Sequence, residues 1–310
     1  MVTGKETNTV YLSDKLQYDK RFTNNCKALI KLLDKHEIKY DFLQSTKDIW
    51  CRDYMPIQID KSKFIQFRYE PSYLKDDLRL QSDPKVVCKA NSIQPQFSEI
   101  NLDGGNVVNW SDRAILTDRI FDENPEYTSK NKLISAIEKL LEVEVIIIPQ
   151  IKSDMTGHAD GLVRFIDRNT VLGNDREQGY KYWKKGINKV LNKYGINYID
   201  ISFLNHKEKK HPDHLIGCYV NYLEVQNLIV LPIFGTANNK DKEVYDTFRQ
   251  IFPDRKVETI DFNEIGVLGG LLNCSTWTIE SSLVNVASKI ELLWMVYTLT
   301  DLVYVSNEIF

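Results

Sequence analysis

Cys274, His158, Asp53 and Asp160 are side chains that together could open a C–N bond, and they are spread along a chain of 310 residues. A thiol is a strong nucleophile once ionised, an imidazole can pass protons in both directions, and paired carboxylates can hold a planar cation. Guanidinium is such a cation: it stays protonated at any workable pH, and its forked N–H donors match carboxylates bidentately. A free thiol ionises near about pH 8.5, so a bound cation and a protonated His158 would both favour the Cys274 thiolate. The thiolate would attack the central guanidine carbon, and His158 would protonate the departing ammonia. Neutral His158 would then deprotonate the water that resolves the S-alkyl-thiouronium on Cys274 to a ureido product. Buried free cysteine is by default only a small hydrophobe. This chemistry therefore requires the four residues to converge.

The elements that must bring them together recur at a countable period. A strand at 10–12, a helix over 15–36 and a strand at 38–43 are followed by a hairpin over 53–69 and a helix within 74–93. Asp103-Gly104-Gly105 then leads into paired strands at 106–110 and 114–116, a helix over 129–141 and a strand at 143–149. Gly157-His158-Ala159-Asp160 opens strands at 161–166 and 170–172, a helix over 178–194 and a strand at 198–204. Cys218-Tyr219-Val220-Asn221 opens a third copy with a strand at 228–231, a helix over 241–251 and a strand at 256–262. Gly269-Gly270 precedes Cys274, which opens the strand-like Thr276-Trp277-Thr278-Ile279.

From Asp53 to Asp103, His158, Cys218 and Cys274 the spacings are 50, 55, 60 and 56 residues. A roughly fixed period marks structural repeats that stack around a shared core. The helix and strand within 15–43 complete the unit that Cys274 starts, so the chain is expected to close as a ring of five α/β units of ββαβ type. Asp53, Asp103, His158 with Asp160, Asn221 and Cys274 then meet at one central cavity, each at the entrance of a first strand. Turn chemistry alone explains Asp103-Gly104-Gly105. It explains neither His158 nor Cys274.

These stretches resemble the guanidine-modifying enzyme superfamily, and within it the agmatine deiminase and bacterial-type peptidylarginine deiminase family. The resemblance rests on Trp50-Cys51-Arg52-Asp53 with Pro56, Asp103-Gly104-Gly105-Asn106, and Gly157-His158-Ala159-Asp160 with Arg164-Phe165. It continues through Tyr219 to Tyr222 and through Gly269-Gly270 with Cys274 and Thr276. It implies a five-bladed α/β propeller (pentein) with a Cys-His-Asp site, no metal and no organic cofactor. Trp50 would line the pocket beside Asp53, Asn221 would support the cysteine side, and Asp103 and Glu70 would complete the substrate-binding set. The implied reaction is hydrolysis of an agmatine-like small guanidine, which belongs to polyamine and putrescine formation. The same scaffold also suits a peptidyl-arginine or free-arginine deiminase, an amidinotransferase or a silent guanidine-binding protein. Met55 replaces a usual glycine and Asn273 a usual histidine. The segment 68–73 lacks the paired arginines that would grip a peptide carboxylate, whereas Glu70 there suits an amine.

Composition narrows the classes further. Forty basic against 43 acidic residues give a net charge of −3 with both signs mixed, so no nucleic-acid partner is expected. Five cysteines, an odd number with no CxxC pair, read as reduced thiols in a cytoplasmic protein. No signal segment is expected at the N-terminus, and the apolar run at 290–305 is broken by Glu291, Thr298, Thr300 and Asp301, against a membrane span. Residues 1–280 are expected to form a single catalytic domain. The extension 281–310 has no assigned role beyond an added helix or a surface for a homodimer. His206, His211 and His214 with Asp213 have ligand-like spacing, but Lys207, Lys209 and Lys210 would repel a cation, so an exposed loop is expected. Arg52 is read as an ion-pair partner of Asp53. Cys26 and Cys88 are read as packing residues.

Overall fold

In the computed structural model, residues 1–204, 210–211 and 213–281 are described. Among them the strands pair into five three-stranded sheets, each with its first strand antiparallel to the second and its second parallel to the third. A tight connection suffices for the antiparallel step, whereas the parallel step needs a crossover, and a helix supplies it. The first such blade runs Ile57–Gln58, Phe64–Arg68 and Gln96–Asn101, with the helix Pro84–Ala90 before its last strand. The second is Val108–Trp110, Arg113–Thr117 and Glu144–Ile148 with the helix Lys130–Leu141. The third is Val163–Asp167, Thr170–Asn174 and Asn197–Ile201 with the helix Lys181–Tyr194, and the fourth is Leu223–Val225, Leu228–Ile233 and Lys256–Asp261 with Asp241–Ile251.

Both ends of the unit build the fifth blade. Thr276–Ile279 pairs antiparallel with Thr9–Ser13, in a register that sets Thr9 against Ile279 and Tyr11 against Trp277. Thr9–Ser13 then pairs parallel with Lys39–Leu43 across the helix Thr23–Lys35. The fold is a five-bladed α/β propeller, and Met1–Glu280 form one compact unit.

Helix spacing explains how each blade seals its core. Leu133, Ile137 and Leu141 are the buried residues of one crossover helix, and Trp183, Ile187 and Leu191 repeat the same four-residue step in the next. Side chains four apart lie on one face, and each large aliphatic one buried contributes about 1.5–3 kcal/mol. The Trp183 ring also donates its Nε1–H to the Pro149 carbonyl at 2.9 Å, which ties that helix to the preceding blade's final loop.

Several expected boundaries move. The helix expected over 15–36 is two, Lys15–Tyr18 and Thr23–Lys35, separated by a turn where Arg21 clasps Asp19. The helix expected within 74–93 shortens to Pro84–Ala90, because Pro84 fits only the first turn and Asp83 caps it through the Lys85 N–H at 2.8 Å. The motif residues do not stand on strands. Cys51–Tyr54, Gly104–Asn106 and Ala159–Gly161 are short helical turns that precede the first strands, and Cys218 to Asn221 likewise lie in turns ahead of Leu223.

Of the histidine-rich stretch, His206 with Lys207 and Lys209 lies outside the described residues, as do Pro212 and the run at 290–305. Lys210, His211 and Asp213 are exposed. Among the described residues no cluster of His, Cys, Asp and Glu is arranged to hold a metal, and no helix is long and apolar enough to cross a membrane.

Candidate active site

The turns ahead of the blades point their side chains at one cavity of about 440 Å³, whose wall includes Trp50, Asp53, Tyr73, His158, Asp160 and Cys274. Close backbone approach makes this convergence possible. A Cβ on Gly105 would lie 2.5 Å from Asp53 Oδ1 and 2.6 Å from His158 Nδ1, so only glycine lets these two residues meet. One on Gly270 would lie 2.4 Å from the Trp50 ring, so the glycine before the cysteine makes room for the aromatic wall.

On one side His158 is held between two acids. Its Nε2 lies 2.8 Å from Asp103 Oδ2, and its Nδ1 lies 3.6 Å from Asp53 Oδ1. The Gly105 N–H donates to that Asp53 oxygen at 3.0 Å, and the Tyr73 hydroxyl donates to Asp103 Oδ2 at 2.9 Å. Burial favours neutral imidazole, but Asp53, Asp103 and Asp160 outweigh it and raise the His158 pKa to about 10. Burial also pushes the Asp53 carboxyl well above the usual range, against the pull of His158.

On the other side Cys274 is clasped by an amide pair. Asn221 Nδ2 donates to Sγ at 3.2 Å, while Asn221 Oδ1 accepts the N–H groups of Asn273 at 3.1 Å and Cys274 at 3.3 Å. Asn273 Nδ2 donates to Asp160 Oδ2 at 2.7 Å, and that oxygen is 3.6 Å from Sγ. Burial, then Asp160 and Asp53, push the Cys274 thiol well above its ordinary value. In the free site the thiol is therefore neutral, and a cation between the carboxylates would reverse both acidic contributions.

Of the eight expected site residues, Cys274, His158, Asp160, Asp53 and Trp50 share the cavity wall. The other three stand elsewhere. Asp103 and Asn221 are buried behind the wall, where hydrogen bonds commit them to His158 and to the Asn273–Cys274 backbone. Glu70 lies in a different recess, with its side chain 60% exposed and 3.5 Å from Arg68, because the chain turns away after Phe64–Arg68. Nor does Arg52 pair with Asp53: its guanidinium turns to the Asn273 carbonyl at 3.3 Å and to Thr278 Oγ1 at 3.4 Å.

Asp48 and Tyr73 reach the wall without having been anticipated. Neither sits at a strand entrance, so the period carried no sign of them. The position of Asp48 two residues before Trp50 was the available signal for it. The other four cysteines are buried as well. Burial raises Cys26 to about 11 and Cys88 and Cys218 to about 12, and none of these three lines the cavity.

A five-bladed α/β propeller with a cysteine, a histidine and carboxylates on one cavity wall suits an enzyme that acts on C–N bonds. Residues 2–279 match the family described as Porphyromonas-type peptidyl-arginine deiminase, and the chain belongs to that family. The fold is similar to that of the C. jejuni agmatine deiminase, with a TM-score of 0.74 at 17% identity over 91% of this chain and 96% of that one. The agmatine deiminase of Enterococcus faecalis superposes with a TM-score of 0.70 at 16% identity, over 91% of this chain and 95% of that one. In sequence, the provisionally named agmatine deiminase 2 of Listeria monocytogenes is 22% identical over 281 residues, covering 75% of this chain and 74% of its own length.

Proposed function

We propose that this chain is a guanidine deiminase that converts an agmatine-like small guanidine to its ureido product and ammonia through a thiouronium on Cys274. The observation that carries the reading is the shared cavity wall of Cys274, His158, Asp53 and Asp160. Asp53 and Asp160 pair with the guanidinium, which brings its carbon to Sγ and neutralises the two charges that oppose thiolate formation. The thiol gives up its proton to bulk water, the thiolate adds to that carbon, and cationic His158 gives its proton to the nitrogen that leaves as ammonia. Neutral His158 then takes a proton from water as the water oxygen bonds to the same carbon. The C–S bond then breaks, the remaining hydroxyl proton passes to bulk water, and the Cys274 thiolate and the neutral ureido product are left.

The wall also bears on the substrate's far end. Among the described residues it includes no lysine or arginine, and its cationic His158 is already held by Asp103. Asp154 and Asp213 add negative charge instead, whereas Asp77 is already paired with Arg79 at 2.9 Å. That balance favours an amine-bearing guanidine over free arginine or a peptide C-terminus.

Agmatine, free arginine and a peptidyl-arginine, each assayed for ammonia and ureido product, test the reading. Agmatine is expected to be turned over best, and Cys274→Ala to release no ammonia while still binding agmatine in calorimetry. Arginine turned over as well as agmatine would overturn the substrate assignment. Silence towards every guanidine would overturn the activity.

A further inference from the structure

Asp48 is a buried acid that the mechanism above does not use. It lines the cavity while only 8% exposed. Its Oδ1 accepts the Trp50 N–H at 3.0 Å. Among the described residues its Oδ2 receives no hydrogen bond, and no lysine, arginine or histidine forms an ion pair with it. The groups that feel its charge are Cys51, Tyr54 and Tyr69, which burial keeps neutral, together with the acids Asp53 and Asp103. Burial pushes its carboxyl up to about 7, against the pull of the Trp50 N–H and with a further push from Asp103.

A carboxylate buried without a counter-ion costs several kcal/mol, so Asp48 does not stabilise the fold by its charge. Nor does the turn at Trp50 need that charge, because a neutral amide oxygen accepts the same N–H. The guanidinium already has Asp53 and Asp160. A further buried carboxylate in the same wall fits a second positive charge on the ligand.

Resting on the deiminase reading of this cavity, we propose that Asp48 binds the second cation, an ammonium, of a dicationic guanidine substrate and so selects dications over monocations. Binding restores to Asp48 the charge partner that folding denies it. It also explains why an acid stands where an uncharged turn residue would fold equally well.

The test is Asp48→Asn, which keeps the oxygen that accepts the Trp50 N–H and removes only the charge. Agmatine is compared with butylguanidine, which has the same chain length but no amine. The wild-type protein is expected to prefer agmatine, and in the variant the ratio of kcat/KM for agmatine to that for butylguanidine should fall at least about tenfold, mainly through KM for agmatine. An unchanged ratio, or a parallel fall on both compounds, overturns the assignment, because a turn-forming or guanidinium-facing Asp48 would treat them alike. Calorimetric titration of both compounds onto both proteins reads the same ratio without turnover. If the wild type hydrolyses neither compound, the deiminase reading fails, and the titrations still decide whether Asp48 selects the dication.

Discussion

His158 Nε2 lies 2.8 Å from Asp103 Oδ2, and that same oxygen accepts the Tyr73 hydroxyl at 2.9 Å. One buried carboxylate oxygen thus orients the imidazole and helps hold its proton. Asp103→Asn removes the anion and should lower the His158 pKa from about 10. The alkaline limb of kcat/KM should then move to lower pH by about one unit. Stability should follow the same group. With its folded pKa raised, His158 contributes fully below its unfolded value of about 6.5, and the contribution is lost as pH rises towards its folded value. Melting temperatures across that window should decline less steeply in Asp103→Asn. Identical slopes and an unmoved limb would remove Asp103 from this role.

The Cys274 thiol should ionise when a guanidinium binds beside it. Burial, Asp160 and Asp53 hold the Cys274 proton, and a cation bound to those acids reverses two of the three causes. Adding an unreactive guanidinium ligand at neutral pH should raise thiolate absorbance in the ultraviolet, and Cys274→Ser should show no rise. A thiolate already present without ligand would contradict substrate-assisted ionisation.

Asn221 both supports the backbone at Cys274 and donates to its sulfur. Asn221→Asp keeps the acceptor, loses the donor and places a charge against the thiol. It should lower kcat about 10- to 100-fold, the worth of one hydrogen bond to an ionised group. Asn221→Ala should also cost about 1–3 kcal/mol of stability, since the buried Cys274 N–H loses its acceptor while the Asn273 N–H keeps only the Asn221 carbonyl. Denaturant unfolding separates the two variants, and wild-type activity in Asn221→Asp would sink the donor role.

Gly105→Ala drives a methyl group against Asp53 and His158 together. Activity should fall about a hundredfold, as expected for a displacement near one ångström between reacting groups. Circular dichroism should remain that of the wild type, because Gly105 lies in a turn ahead of its blade rather than in the core of one. Loss of the fold instead would make Gly105 a structural residue.

Glu70→Gln should leave KM for agmatine within about twofold of wild type, since an exposed ion pair such as Glu70 with Arg68 is worth little. A large rise in KM would return Glu70 to the substrate's path.

Most of the architecture was legible without coordinates. The spacings between Asp53, Asp103, His158, Cys218 and Cys274 counted five units, and Thr9–Ser13 does close the ring against Thr276–Ile279. These features are readable because they are local: a helix or strand writes its buried face into its own periodicity, as Leu133, Ile137 and Leu141 do. Residue type likewise announced Cys274 and His158, since neither is a turn former.

Tertiary structure alone decided which acids face the cavity. Glu70 and Asp48 flank the same motif region, yet one turns outward to Arg68 and the other is buried in the wall. Asp103 and Asn221 stand one layer behind the cavity, orienting His158 and Cys274. The direction of a loop side chain depends on contacts with residues far away in sequence, such as Gly105 against Asp53 or Gly270 against Trp50, and no local pattern encodes those approaches.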